Sequence, residues 1–108
     1  MKRIAVLASG RGSNFQALID AIGREEIPAS CTGLITDNPD AFVIARAREA
    51  GIPVFVLEYG KYAGKDEFER ALCTTMHDLQ ADLFVLAGYM RILGPAIVRE
   101  FHGKILNI

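Results

Sequence analysis

The sequence predicts an α/β protein with a Rossmann-like, doubly wound parallel sheet, and three observations carry that expectation. Apolar runs recur at Ile4–Leu7, Cys31–Ile35, Val54–Leu57, Leu83–Ala87 and Ile105–Ile108. Each is short and nearly unbroken, the pattern of a strand covered on both faces. Segments with helical spacing separate them, as a parallel sheet with crossover helices requires. Right-handed crossovers then give the strand order 3-2-1-4-5.

Length and composition agree with one domain over residues 1–108. Of the 108 residues, 51% are hydrophobic and 23% charged, and the formal net charge is −1. A chain of this size buries roughly 60 to 70 per cent of its unfolded surface, so its core needs no disulfide or metal to hold it. Cys31 falls in a predicted strand and Cys73 in a predicted helix, without CxxC spacing. Both read as small core residues in a reducing, cytoplasmic compartment. No apolar run is long enough to cross a bilayer, and Met1-Lys2-Arg3 leads into a strand and not a signal sequence. The reading is therefore of a soluble protein with no membrane partner. No basic run offers a footprint for nucleic acid, which leaves small ligands, anions among them.

Taken in order, the helices carry their own start and stop signals. In the first, Phe15, Leu18, Ile19 and Ile22 make one apolar stripe, and Ser13 with Gln16 reads as an S-x-x-Q capping box, so the helix is expected to begin at Asn14. Asp40 reads as the cap of a second helix, Ala41 to Ala50, stopped by Gly51-Ile52-Pro53. The third runs from Lys65 to Leu79, with Phe68, Leu72, Met76 and Leu79 on one face and acidic residues in its first turn. The fourth opens on Pro95, turns Ile97, Val98 and Phe101 inward and ends at Gly103. His77 is expected to be solvated, and His102 to sit favourably at the negative end of that helix.

In the order 3-2-1-4-5, strands 1 and 4 are neighbours where the strand order reverses, and their C-terminal loops, Ser9–Ser13 and Gly88–Leu93, flank the ligand crevice of such sheets. Gly10 and Gly12 permit a sharp turn, after which the N–H groups of Ser13, Asn14 and Phe15 open at the positive end of a helix. That is an anion site, most simply for phosphate; the alternative is a tight βα turn with Ser13 as a plain cap. A Walker A loop lacks its Lys-Ser/Thr pair here. A dinucleotide fingerprint matches in Gly10-x-Gly12, with Asp37 placed to hold a ribose, but Phe15 occupies the third glycine position and opposes close helix–strand packing. A monophosphate is favoured.

The second loop, Tyr89-Met90-Arg91-Ile92-Leu93, sets bulky apolar groups around one arginine. It suits a slot for a flat aromatic ligand, whose ring edges bond to exposed backbone; packing of the loop under the fourth helix accounts for the same residues. Arg91 either meets an anion or lies in solvent. Asn107 is the one polar side chain of the last strand and falls beside both loops. Its amide either donates to a developing oxyanion, an interaction worth about 2.7 to 4 kcal/mol in acyl transfer, or satisfies local backbone.

Read together, Ile4-Ala5-Val6-Leu7-Ala8-Ser9-Gly10-x-Gly12-Ser13-Asn14-Phe15-Gln16-Ala17, Asp37-Asn38-Pro39-Asp40-Ala41, Ala50-Gly51-Ile52, Leu86-Ala87-Gly88-Tyr89-Met90-Arg91-Ile92-Leu93 and Leu106-Asn107-Ile108 make the sequence resemble the phosphoribosylglycinamide formyltransferase family along its whole length. The resemblance implies formyl transfer from 10-formyltetrahydrofolate, as co-substrate and without a metal, to glycinamide ribonucleotide in purine synthesis. It implies that Gly12, Ser13 and Asn14, with Lys65, hold the phosphate. Tyr89, Met90, Arg91, Ile92, Leu93 and Val98 would bind the reduced folate, and Asn107 would be the catalytic asparagine.

The family motif continues past Asn107-Ile108 into a histidine and, later, an aspartate, neither of which is in this chain. Without them proton transfer has no evident agent. The chain is accordingly expected to be the N-terminal, nucleotide-binding half of such an enzyme, inactive alone, with an uncovered fifth strand that invites self-association. Formyltetrahydrofolate hydrolase and methionyl-tRNA formyltransferase share the fold and folate pocket, and a nucleotide-binding module without chemistry is the non-enzymatic alternative. The Gly12-Ser13-Asn14 cradle and the absence of a basic surface run speak against a tRNA substrate.

Overall fold

A computed structural model describes all residues from Met1 to Ile108. Its five parallel strands are β1 (Lys2–Leu7), β2 (Ala29–Thr36), β3 (Val54–Val56), β4 (Leu83–Leu86) and β5 (Ile105–Asn107), in the order β3-β2-β1-β4-β5. The connections hold α1 (Ser13–Gly23), α2 (Val43–Glu49), a 3-10 turn at Tyr59–Lys61, α3 (Lys65–Asp78) and α4 (Pro95–Glu100). The order and every predicted crossover match the sequence reading.

Strand alternation sorts the core into two layers. Ala5, Leu7, Ile35 and Phe84 face α3 and α4, meeting Phe68, Leu72, Met76, Ile97 and Phe101. Val6, Ala8, Leu34 and Val85 face α1 and α2, meeting Phe15, Val43 and Ala47. Both faces of the central strands are thus covered, which is why those strands read as unbroken apolar runs. Between Ile4 and Ala5 the register on β2 shifts, skipping Thr32, whose hydroxyl donates to the Ile4 carbonyl at 3.4 Å. Just beyond it, a Cβ on Gly33 would come within 2.7 Å of Leu79 Cδ2, so a residue without a side chain lets the end of α3 close on β2.

Several local expectations are corrected. Gly12, left-handed at φ 79°, is the N-cap of α1, so Ser13 is the first helical residue and no capping box forms. Gln16 turns instead to the Asp20 carboxylate, 2.9 Å away. Asp40 does not cap α2 either: its N–H is taken by Asn38 Oδ1 at 3.0 Å, and the helix begins only at Val43. The end of α2 is as expected, for Gly51 (φ 73°) and Ile52 donate to Arg48 and Ala47 in the two bonds of a Schellman motif. The side chain that does reach back to a preceding amide belongs to α3, where Glu67 accepts from the Ala63 N–H at 3.3 Å. Val98 is 45% exposed and does not face inward. His77 is exposed as expected, with its Nε2 2.9 Å from Glu100 Oε2 and its ring 4.8 Å from that of Phe101.

Candidate functional site

From the centre of the sheet the chain leaves β1 toward one face and β4 toward the other, so their loops diverge above the strand ends. The first loop is braced from behind by α2. Val43 N–H donates to the Gly10 carbonyl at 3.0 Å, and Arg46 Nε donates to the Arg11 carbonyl at 2.7 Å. Two constraints require glycine at position 12, the left-handed φ and the side chain of Val43, whose Cβ would stand 2.7 Å from an added methyl. Nothing comes within 4 Å of a Cβ at Gly10. Val43 thus closes the space at Gly12, while the space at Gly10 is open.

Gln16 is the first residue of α1 to find a helical acceptor, Gly12 O at 2.8 Å. The N–H groups of Ser13, Asn14 and Phe15 make no hydrogen bond within the chain, nor do the side chains of Ser13 and Asn14, both exposed. Three amides and two polar side chains thus converge at the positive end of an eleven-residue helix, an arrangement suited to one anionic group.

The second loop alternates. Tyr89 and Leu93 pack against the α3–α4 layer of the core, and Arg91 lays its guanidinium over the Tyr59 ring at 3.9 Å and near Phe68 at 5.4 Å. Met90 (78% exposed) and Ile92 (92% exposed) point outward, so the loop is neither wholly packed under α4 nor wholly free. Arg91 is held by aromatic faces rather than by an anion or by solvent alone. The N–H and C=O groups of Arg91, Ile92 and Leu93 make no hydrogen bond within the chain. Tyr89, Met90, Arg91, Ile92, Leu93 and Val98 line a cavity of about 520 Å³, which also takes in Asn107. Asn107 pairs with Leu86 and shares a strand face with Ile105, which turns it toward this cavity; its amide is exposed and free of internal partners.

Lys65 stands apart. It begins α3, on the opposite face of the sheet from α1, and lines grooves with Glu69, Arg70 and Pro95, none of which includes Gly12, Ser13 or Asn14. The structure does not bring it to the turn, because α1 and α3 cross on different faces.

Ser9 is a site residue that motif reading passed over. It is 7% exposed, a polar residue continuing the apolar run of β1, and it ties the loops together. Its N–H donates to Gly88 O at 3.1 Å, its Oγ accepts from Met90 N–H at 2.8 Å, and its carbonyl accepts from Asn38 Nδ2 at 3.5 Å. Nearby, Asp37 Oδ1 and the Tyr89 hydroxyl are buried without partners. Burial, with Asp37 adding to it, pushes the Tyr89 hydroxyl well above its ordinary pKa, so it stays protonated at neutral pH.

An open α/β sheet with two divergent loops above its central strands defines the class of protein, one that takes its ligands at the strand ends. The chain belongs to the formyl transferase family, whose pattern matches residues 2–108. It is 44% identical to phosphoribosylglycinamide formyltransferase of Haemophilus influenzae over all of this chain and 51% of that protein. To the Bacillus subtilis protein of the same name it is 42% identical, over all of this chain and 55% of the other. Among solved structures, glycinamide ribonucleotide transformylase 1 from Geobacillus kaustophilus superposes with a TM-score of 0.94 at 44% identity, covering 99% of this chain and 57% of that one. The chain spans about half the length of the curated relatives it matches.

Proposed function

We propose that the chain supplies the ribonucleotide subsite and part of the folate subsite of an enzyme that transfers a formyl group from 10-formyltetrahydrofolate to glycinamide ribonucleotide. One observation carries the reading: free amides at the start of α1 lie across Ser9 from an apolar cavity that ends at Asn107. Gly12, Ser13 and Asn14 bind the phosphate, whose charge suits the helix end. Lys65 is left out of that cradle, since α3 starts on the other face.

The reduced folate fits the second loop. Met90, Ile92 and Val98 offer exposed apolar surface for a flat ring, and the unpaired backbone of Arg91, Ile92 and Leu93 offers donors and acceptors for its edges. When bound, the folate supplies the formyl group. Asn107 would donate its amide N–H to the formyl oxygen as negative charge develops there, an electrostatic contribution that grows toward the transition state. The attacking amine must also lose a proton, a step for which Asn107, a donor, supplies no base.

Backbone amide NMR during titration tests the reading. Glycinamide ribonucleotide is expected to shift Ser13, Asn14 and Phe15 saturably, and tetrahydrofolate to shift Arg91, Ile92 and Leu93. Tighter binding of NAD than of the ribonucleotide, or ribonucleotide shifts confined to other residues, would overturn it.

A further inference from the structure

Beyond Met90, the loop of residues 88–93 has no backbone hydrogen bond until Val98 N–H reaches Gly94 O inside α4. Its position rests on the packing of Tyr89 and Leu93 against the core, on the stack of Arg91 on Tyr59 and Phe68, and on Ser9. Ser9 holds the loop twice, by its N–H on Gly88 O and by its Oγ on Met90 N–H, across 81 residues of sequence. It is also the residue before Gly10, the first of the phosphate turn, which α2 grips through Val43 and Arg46. A buried residue therefore belongs to both loops at once.

We propose that Ser9 is a positioning residue that couples the two subsites, so that an occupied phosphate turn strengthens folate binding and the reverse. The proposal rests on the function argued above. An anion that orders Gly10–Phe15 also limits the motion of Ser9. Ser9 in turn fixes the Met90 amide, and with it the register of the free backbone groups that follow. Each ligand then meets a loop whose ordering the other has already favoured, which is positive coupling without a large structural change. The Met90 N–H, being engaged by Ser9, is not a donor to the ligand; its role is to hold the loop.

Calorimetric titration measures the coupling directly. Tetrahydrofolate, which carries no formyl group and so permits no transfer, is titrated into the protein with and without saturating glycinamide ribonucleotide. In the unaltered protein the ribonucleotide is expected to tighten folate binding by about 5-fold or more. Ser9→Ala is expected to bring that ratio within about 2-fold of unity while ribonucleotide affinity alone is kept, and to speed hydrogen exchange at the Met90 amide. Ser9→Thr, which retains the hydroxyl, restores the ratio. If Ser9→Ala does not fold, Ser9→Cys, with a weaker acceptor of similar shape, gives an intermediate ratio. An unchanged ratio in the folded Ala or Cys variant, or a ratio of one in the unaltered protein, overturns the coupling and leaves the functional reading standing. Failure of both ligands to bind the unaltered protein overturns both.

Discussion

At Gly12 one residue meets two independent demands, and their sum is measurable. Alanine at φ 79° costs about 1 to 2 kcal/mol for the left-handed backbone, and its methyl would press into Val43, adding an overpacking cost of about 1 to 3 kcal/mol. Gly12→Ala is therefore expected to lower unfolding stability by about 2 to 5 kcal/mol in urea denaturation. Gly10→Ala, with open space around the added methyl, is expected to change it by less than about 1 kcal/mol. Equal losses at both positions would show that Val43 does not decide the matter. Asn107 is subject to a kinetic test instead. Its amide has no partner in the chain, so Asn107→Ala removes no native hydrogen bond and should leave stability within about 0.5 kcal/mol. In the enzyme proposed above, the same change should lower kcat by about 100- to 1,000-fold with substrate affinity kept. A loss confined to KM would place Asn107 in binding alone.

The elements themselves are where the sequence was most legible. Strand order, the four helices and the stop at Gly51 follow from patterns that repeat within a few residues: apolar runs, 3.6-residue stripes, glycine before proline. What escaped depends on contacts between distant segments. Ser13 loses its cap position because Gly12 turns left-handed against Val43, and Asp40 loses its own because α2 begins only at Val43, with Phe42 at the N-cap. Lys65 was assigned to the phosphate turn through the family resemblance, whereas it begins a helix on the other face of the sheet from α1. The residues that face the crevice were legible as motifs; the role of Ser9, which holds the crevice together, was not, because its partners Gly88 and Met90 lie about 80 residues away. The Arg91 stack is of the same kind, tying the second loop to the Tyr59 turn and α3. Arg91→Met and Tyr59→Leu, alone and together, are expected to show a coupling energy of about 1 kcal/mol in a double-mutant cycle. Additive losses would mean that the stack contributes nothing beyond packing.

For the molecule as a whole, stability at high pH joins two half-buried groups, Cys31 on β2 and Tyr89 in the loop after β4. Desolvation raises the Cys31 thiol above its ordinary 9.0, against a smaller opposing effect of the Gly33 backbone. Desolvation likewise raises the Tyr89 hydroxyl above its ordinary 10.0. In both cases the folded state keeps its proton longer than the unfolded chain does. The resulting stability is complete below the unfolded pKa and is lost as pH rises through the folded one. The free energy of unfolding should therefore begin to fall near pH 9 through Cys31 and steepen above pH 10 through Tyr89. Differences between variants isolate the two groups. Tyr89→Phe removes a buried hydroxyl that has no partner, and is expected to raise stability at pH 7 by about 1 kcal/mol and to flatten the descent above pH 10. Cys31→Ala is expected to lower stability at pH 7, through lost packing, yet to flatten the first part of the descent. Urea midpoints measured from pH 7 to 11 for the three proteins decide the point, and a Tyr89→Phe curve parallel to that of the unaltered protein above pH 10 would show that the hydroxyl is solvated in the fold.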